Sequence, residues 1–171
     1  MTLTIATYFS NYTQAERAVQ QLNQQSGILG YSLILQQRVW HQALRTAAQK
    51  NKPHLMSPGS IRRARLDSLM GLLVGVGSRG MANLGRVMVA GPLAAWLDQQ
   101  KPALQQDLLR AFMALGMRDR EALAAERAVQ ERKVVILIHM SQDTAVWSTL
   151  EQTGAKQIAV LADTAVTLPS Q

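Results

Sequence analysis

The sequence predicts an α+β fold: a ferredoxin-like split βαβ sheet made by both chain ends, with a long helical insertion between its second and third strands. Three observations lead there. Residues 1–40 read strand, helix, strand; residues 133–171 read the same way; and residues 41–132 between them are predominantly helical. Two β-α-β units in one chain suit an antiparallel sheet with both helices on one face. At 171 residues the three parts form one composite domain.

The first unit opens with "LTIATYF" (3–9), whose alternation and β-branched residues suit a strand. "SNYTQAERAVQQLNQQSG" follows as a helix, with Ser10 or Asn11 as its cap, Ala15, Val19 and Leu22 as its apolar stripe and Gly27 as its end. "GYSLILQQRVW" (30–40) reads as the second strand.

The insertion begins with "HQALRTAAQKNK", a short helix ended before Pro53, and a loop "PHLMSPGS". Ser60 can cap a helix starting at Ile61, where Leu66, Leu69, Met70 and Leu73 share one face. Gly75, Gly77 and Gly80 predict a break. A second helical piece carries Leu84, Val87 and Met88 up to Gly91-Pro92, and Pro92 and Pro102 each suit the first turn of a new helix. "ALQQDLLRAFMALG" presents Leu104, Leu108, Ala111, Phe112 and Leu115 as a stripe and stops at Gly116; "DREALAAERAVQERK" is an alanine-rich helix capped by Asp119.

The last unit starts with "KVVILIHM" (133–140), an apolar run of strand length, as expected of a central strand. "SQDTAVWSTLEQTG" reads as a helix with Ser141 or Asp143 near its start and Gly154 at its end, and "AKQIAVLADTAV" closes as a strand.

Composition narrows the functional classes. The absence of cysteine removes disulfides, thiolate metal sites and thiol nucleophiles. The N-terminus lacks the basic and apolar regions of a signal peptide, so a cytoplasmic protein is expected. The net charge is +7, and it is concentrated: between Gln36 and Gln106 only Asp67 and Asp98 oppose ten Lys/Arg. A basic middle predicts an anionic partner.

The stretch "GLLVGVGSRGMANLGRVMVAGPLAAWL" (71–97) admits three readings. As a straight membrane span it is broken by Arg79 and Arg86, each of which costs several kcal/mol at the bilayer centre. As a phosphate loop, "GVGSRG" lacks the G-x-x-x-x-G-K-[ST] pattern and follows a helical segment. The third reading is a tightly packed helical hairpin in which Gly71, Gly75, Gly85 and Gly91 serve helix packing or self-association, because small residues let backbones approach.

The order of these segments resembles a family of small bacterial general stress proteins of unknown function, frequently described as membrane proteins. The resemblance lies in "IATYFSNYTQAERAVQQL", in "VMVAGPLAAWL" with its "AGPLAA" (90–95), and in the succession "LGM…VVILIHM…TGA" of the last half. Here "DQQKPALQQDLLRAF" stands where such proteins carry a longer glycine-alanine stretch, and the basic loop "NKPHLMSPGSIRRAR" is peculiar to this chain. The resemblance implies a stress-linked role and supplies no catalytic residues.

His41, His54 and His139 lie on different elements, so no metal site is expected, and no Ser-His-Asp set has a recognisable context; neither cofactor nor enzymatic activity is expected. Arg62, Arg63 and Arg65 are the most informative residues. In the first turn of a helix they oppose the macrodipole by about 0.3–1 kcal/mol each, which suggests an anion or acidic-partner contact; Arg79 joins them as a candidate. With Trp40 and His41 as the only rings near these charges, specific nucleic-acid binding is not expected. The resulting expectation is a non-enzymatic, stress-linked structural or interaction protein that forms homo-oligomers and docks an acidic partner through its basic insertion. The alternatives are a peripheral protein binding anionic lipid at the inner face of the membrane through residues 61–97, and a small-molecule or anion sensor with its ligand at the Gly75–Arg79 turn.

Overall fold

The computed structural model describes residues 2–51, 78–141 and 145–162, and these form a mixed α+β structure around a six-stranded antiparallel sheet. The first strand, β1 (Thr2–Phe9), is buried on both faces over Thr4–Thr7. Helix α1 (Tyr12–Leu22) starts at Asn11, whose Oδ1 accepts the Gln14 N–H at 2.9 Å and supplies one of the acceptors a helix start lacks. It buries Ala15, Ala18, Val19 and Leu22 and ends at Leu22; Gly27 (φ +89) instead turns the chain into β2 (Ile28–Gln36).

The second strand stops earlier than the sequence suggests. Gln36, opposite Val87, is its last paired residue, and the chain passes directly into helix α2 (Gln37–Asn51), so Arg38, Val39 and Trp40 are helical. Val39, Trp40 and Ala43 face the apolar core from one side of that helix, which rewards the 3.6-residue period once no partner strand remains.

The predicted helix through Leu84, Val87 and Met88 is a β-hairpin. Strand β3 (Ser78–Met81) pairs with β4 (Gly85–Ala90), and β4 pairs with β2. The turn places Asn83 at φ 66 and Gly85 at φ +70, left-handed conformations that Asn and Gly adopt most cheaply. Val87, Met88, Val89 and Ala90 are buried on both faces of the sheet. A short continuous apolar run fits either period, and pairing with β2 decides for the strand. The insertion is therefore not purely helical, and Gly80 lies within a strand and does not break a helix.

Beyond Gly91 come α3 (Pro92–Asp98) and α4 (Pro102–Gln105), each with proline in its first turn. Helix α5 (Leu108–Ala114) is capped by Asp107, whose carboxylate accepts the Arg110 N–H at 3.2 Å. Helix α6 (Asp119–Gln130) begins at the expected cap residue itself: Arg118, one residue earlier, is the capping position, and its N–H donates to the Glu121 carboxylate at 2.8 Å. Then follow β5 (Val134–Ser141), α7 (Trp147–Gln152) and β6 (Lys156–Ala162). Ser141 belongs to the strand and not to the helix cap; Asp143 lies outside the described residues.

The strand order is β3-β4-β2-β5-β1-β6. One face packs α1, α7 and the apolar side of α2 against Ile5, Phe9, Leu33, Leu35, Ile136 and Ile138. The other packs α3, α5 and α6 against Ala6, Ile34, Val87, Val89, Val135 and Leu137. Helices thus cover both faces, and the β3–β4 hairpin extends the sheet beyond β2.

Candidate functional site

Three connections meet at one corner of this sheet. The direct passage from β2 into α2 places Gln36, Gln37, Arg38 and His41 there; the β3–β4 turn brings Leu84, Gly85 and Arg86; the turn from α6 into β5 brings Gln130 and Arg132. Together they line an open cleft of about 590 Å³. The Gln36 amide donates to the Gln130 carbonyl at 3.2 Å and ties the end of β2 to the end of α6. Arg38, His41, Arg86 and Arg132 are exposed, and among the described residues no carboxylate lines the cleft.

The ion pairs among the described residues, Arg79–Asp98, Arg110–Asp107 and Lys133–Glu131, do not include these arginines. Arg86 Nη1 reaches only the Ser78 hydroxyl, at 3.4 Å. Glu131, the acid next to Arg132, is turned to Lys133 at 2.8 Å; that hydrogen bond lowers the Glu131 pKa and raises that of Lys133. The Lys133 ammonium also lies 5.1 Å from the Tyr8 ring centroid. Among the described residues, therefore, no ion pair compensates the positive charge of the cleft.

Arg132 is held in an unusual conformation. The Arg132 N–H donates to the Val129 carbonyl at 3.1 Å and the Lys133 N–H to Ala128 at 2.9 Å, which makes a Schellman ending with Arg132 at its left-handed position (φ 63). The same ending closes α5 and α7, and there Gly116 (φ +110) and Gly154 (φ +78) occupy that position. An arginine in this place costs about 1 kcal/mol relative to glycine, because its Cβ crowds the backbone.

Of the residues singled out from the sequence, Arg62, Arg63, Arg65, Gly71 and Gly75 lie outside the described residues. Arg79 is placed on β3, and its guanidinium is committed: Nη2 binds Asp98 and donates to the Ala94 carbonyl at 3.2 Å, clamping β3 to α3. Gly85 is not in a helix but at the hairpin turn on the rim of the cleft. Gly91 (φ +81) precedes α3, and a Cβ there would overlap the Tyr31 carbonyl oxygen and stand 3.0 Å from Ser32 Cα. Its smallness lets α3 approach β2 within the chain. From residues 78–97, Val87, Val89, Leu93, Trp96 and Leu97 are spent on the core, and among the described residues no helix is long and apolar enough to cross a membrane.

A second polar group lies inside the fold. His139, 1% exposed on β5, sits between Thr4 and Ser32, with Nδ1 3.0 Å from Thr4 Oγ1 and Nε2 2.8 Å from Ser32 Oγ. The Leu93 N–H at the start of α3 donates to Ser32 Oγ at 3.0 Å. Both ring nitrogens of His139 are thus engaged by hydroxyls, each of which can donate or accept to match either neutral tautomer. Burial lowers the His139 pKa to about 4. Sealed from solvent, this row joins β1, β5, β2 and α3 and holds them in register.

The cleft residues escaped the sequence reading because Arg38, Arg86 and Arg132 stand on three separate elements. One local signal was available: an arginine followed by lysine at the end of an alanine-rich helix, where glycine closes the helix at Gly116 and Gly154. Among the described residues no group of three or more His, Cys, Asp or Glu is arranged to hold a metal ion. Comparison with protein-family models, with curated proteins and with solved structures finds no match.

Proposed function

We propose that this protein is a non-enzymatic interaction protein that docks an acidic partner through the cleft of Arg38, Arg86 and Arg132. The observation that carries the reading is the grouping of three exposed arginines around one open cleft, with no carboxylate lining it and no ion pair to them among the described residues. Among the described residues the cleft offers guanidinium and amide donors and the His41 imidazole but no acid, thiol or hydroxyl side chain beside that imidazole, which suits recognition of an anion. Of the arginines singled out from the sequence, Arg79 is engaged by Asp98, while Arg62, Arg63 and Arg65 lie outside the described residues; the cleft adds Arg38, Arg86 and Arg132 as candidates.

The four strands from the chain ends run β2-β5-β1-β6 with every neighbour antiparallel, which supports a ferredoxin-like split βαβ reading of that part. Self-association belongs to the same proposal: β3 and β6 are the outer strands of the described sheet, and Val160 on β6 is 41% exposed. A stress-linked role rests on the sequence resemblance alone.

The test is binding of a fluorescent glutamate-rich peptide, followed by anisotropy at several salt concentrations. Affinity is expected to fall with salt and to drop about tenfold in Arg38→Gln and again in Arg86→Gln, since each removes one charge-assisted contact. Affinity indifferent to both substitutions would remove the cleft from the proposal.

A further inference from the structure

Resting on the docking role above, we infer that the group this cleft receives is a phosphomonoester on a side chain of the partner, in the manner of a phosphoserine peptide. Every cation among the lining residues apart from His41 is an arginine, and none is a lysine. A guanidinium presents a planar fork of donors that matches phosphate oxygens in pairs, which an ammonium does not. Charge balance points the same way. Among the described residues the three arginines are in no ion pair, and a single carboxylate would leave most of that charge unmatched. A phosphomonoester carries between one and a half and two negative charges on three strong acceptor oxygens.

The helix ending at Arg132 supplies an independent argument. The fold closes two helices with glycine in the left-handed position and closes the third, at the cleft, with arginine. The conformation is unfavourable for the free protein, and it holds one wall of the site in a fixed place beside Gln130 and Gln36. Strain kept at a recognition position fits a ligand whose geometry requires fixed donors. The cleft is open, so a peptide can enter with its phosphate toward the arginines.

The experiment uses the whole chain and four probes: a phosphoserine peptide, the same peptide with serine, the same peptide with glutamate in place of phosphoserine, and vesicles containing phosphatidic acid. The phosphopeptide is expected to bind about tenfold tighter than the glutamate peptide, with the serine peptide weaker still. Arg132→Gly is expected to raise the melting temperature of the free protein by about 2–4 °C while weakening the phosphopeptide about tenfold. Arg86→Gln, at an exposed strand position, is expected to weaken it without altering the fold, and so keeps the test decisive if Arg132→Gly folds poorly. Equal affinity for the phosphopeptide and the glutamate peptide overturns the phosphate assignment and leaves acidic docking standing. Binding to neither peptide overturns both. Binding to the vesicles but to no peptide overturns the peptide assignment in favour of a lipid phosphate.

Discussion

At Gly91 the backbone of one element touches the backbone of another with no room for a side chain. Its φ of +81 is unfavourable for any L residue, and a Cβ would overlap the Tyr31 carbonyl oxygen, which cannot rotate away as a side-chain tip could. Gly91→Ala is therefore expected to cost about 3 kcal/mol in urea unfolding, combining overpacking with strain. Gly85 has a similar φ of +70 and open space around it, so Gly85→Ala is expected to cost only about 1 kcal/mol. Equal costs would show that φ alone decides and that the close approach to β2 does not matter. His139 makes a prediction of a different kind. A histidine titrates near 6.5 in the unfolded chain, whereas the folded protein holds His139 neutral down to about 4. Between these values protons bind the unfolded chain preferentially, so His139 leaves stability level above about pH 6.5 and lowers it as the pH falls toward 4, by about 3 kcal/mol in all. Urea unfolding across that window should give a clear slope in the natural protein and a flatter one in His139→Gln. An unchanged slope would assign the dependence to other groups.

Between elements, the clamp of β3 on α3 shows what a charged side chain does once it is placed. Arg79 is 18% exposed, its Nε is buried without a hydrogen-bond partner, and its Nη2 serves both Asp98 and the Ala94 carbonyl, whereas Asp98 is 67% exposed. Arg79→Ala removes the packed stem and the carbonyl contact together and is expected to cost about 1–2 kcal/mol; Asp98→Ala removes a solvent-screened partner and is expected to cost under about 1 kcal/mol. No loss of stability in Arg79→Ala would return this residue to the list of candidate anion contacts. At this scale the sequence was legible where a local device fixes an end. Asn11 and Gly154 mark helix boundaries because a side-chain acceptor or a left-handed backbone is needed there, and Pro92 and Pro102 mark helix starts because they lack an N–H. It was illegible where partners distant in the chain decide. Leu84, Val87 and Met88 satisfy the helical period, yet they form the end of a hairpin and a strand because β2 offers β4 its edge. Trp40 satisfies the strand reading, yet it is helical because nothing continues the ladder past Gln36 and Val87.

Taken whole, the molecule makes the word insertion misleading for residues 41–132. The apolar core on one face of the sheet draws most of its members from them: Val87 and Val89 of β4, Leu93 and Leu97 of α3, Phe112 of α5, and Ala122, Ala125 and Val129 of α6. The chain ends contribute Ala6, Ile34, Val135, Leu137, Ala159 and Leu161 to the same cluster, and without α3, α5 and α6 these would face water. Each such side chain is worth roughly 1–3 kcal/mol when buried, so exposing the set exceeds the whole stability expected of a domain this size. A chain in which a short linker replaces residues 41–132 is therefore expected to show no cooperative thermal transition and to aggregate, although it keeps both β-α-β units. A soluble, cooperatively melting product would show instead that the helices α1 and α7 alone suffice and that the middle of the chain is an added layer. The same interdependence explains why the candidate site was hidden. Arg38 leaves the first unit, Arg86 belongs to the middle and Arg132 stands at the entrance to the last, so the cleft exists only when all three parts share one sheet. The basic stretch between Gln36 and Gln106 contains Arg38 and Arg86 of the cleft, but Arg132 lies outside it, Arg79 inside it is paired with Asp98, and Arg62, Arg63 and Arg65 lie outside the described residues.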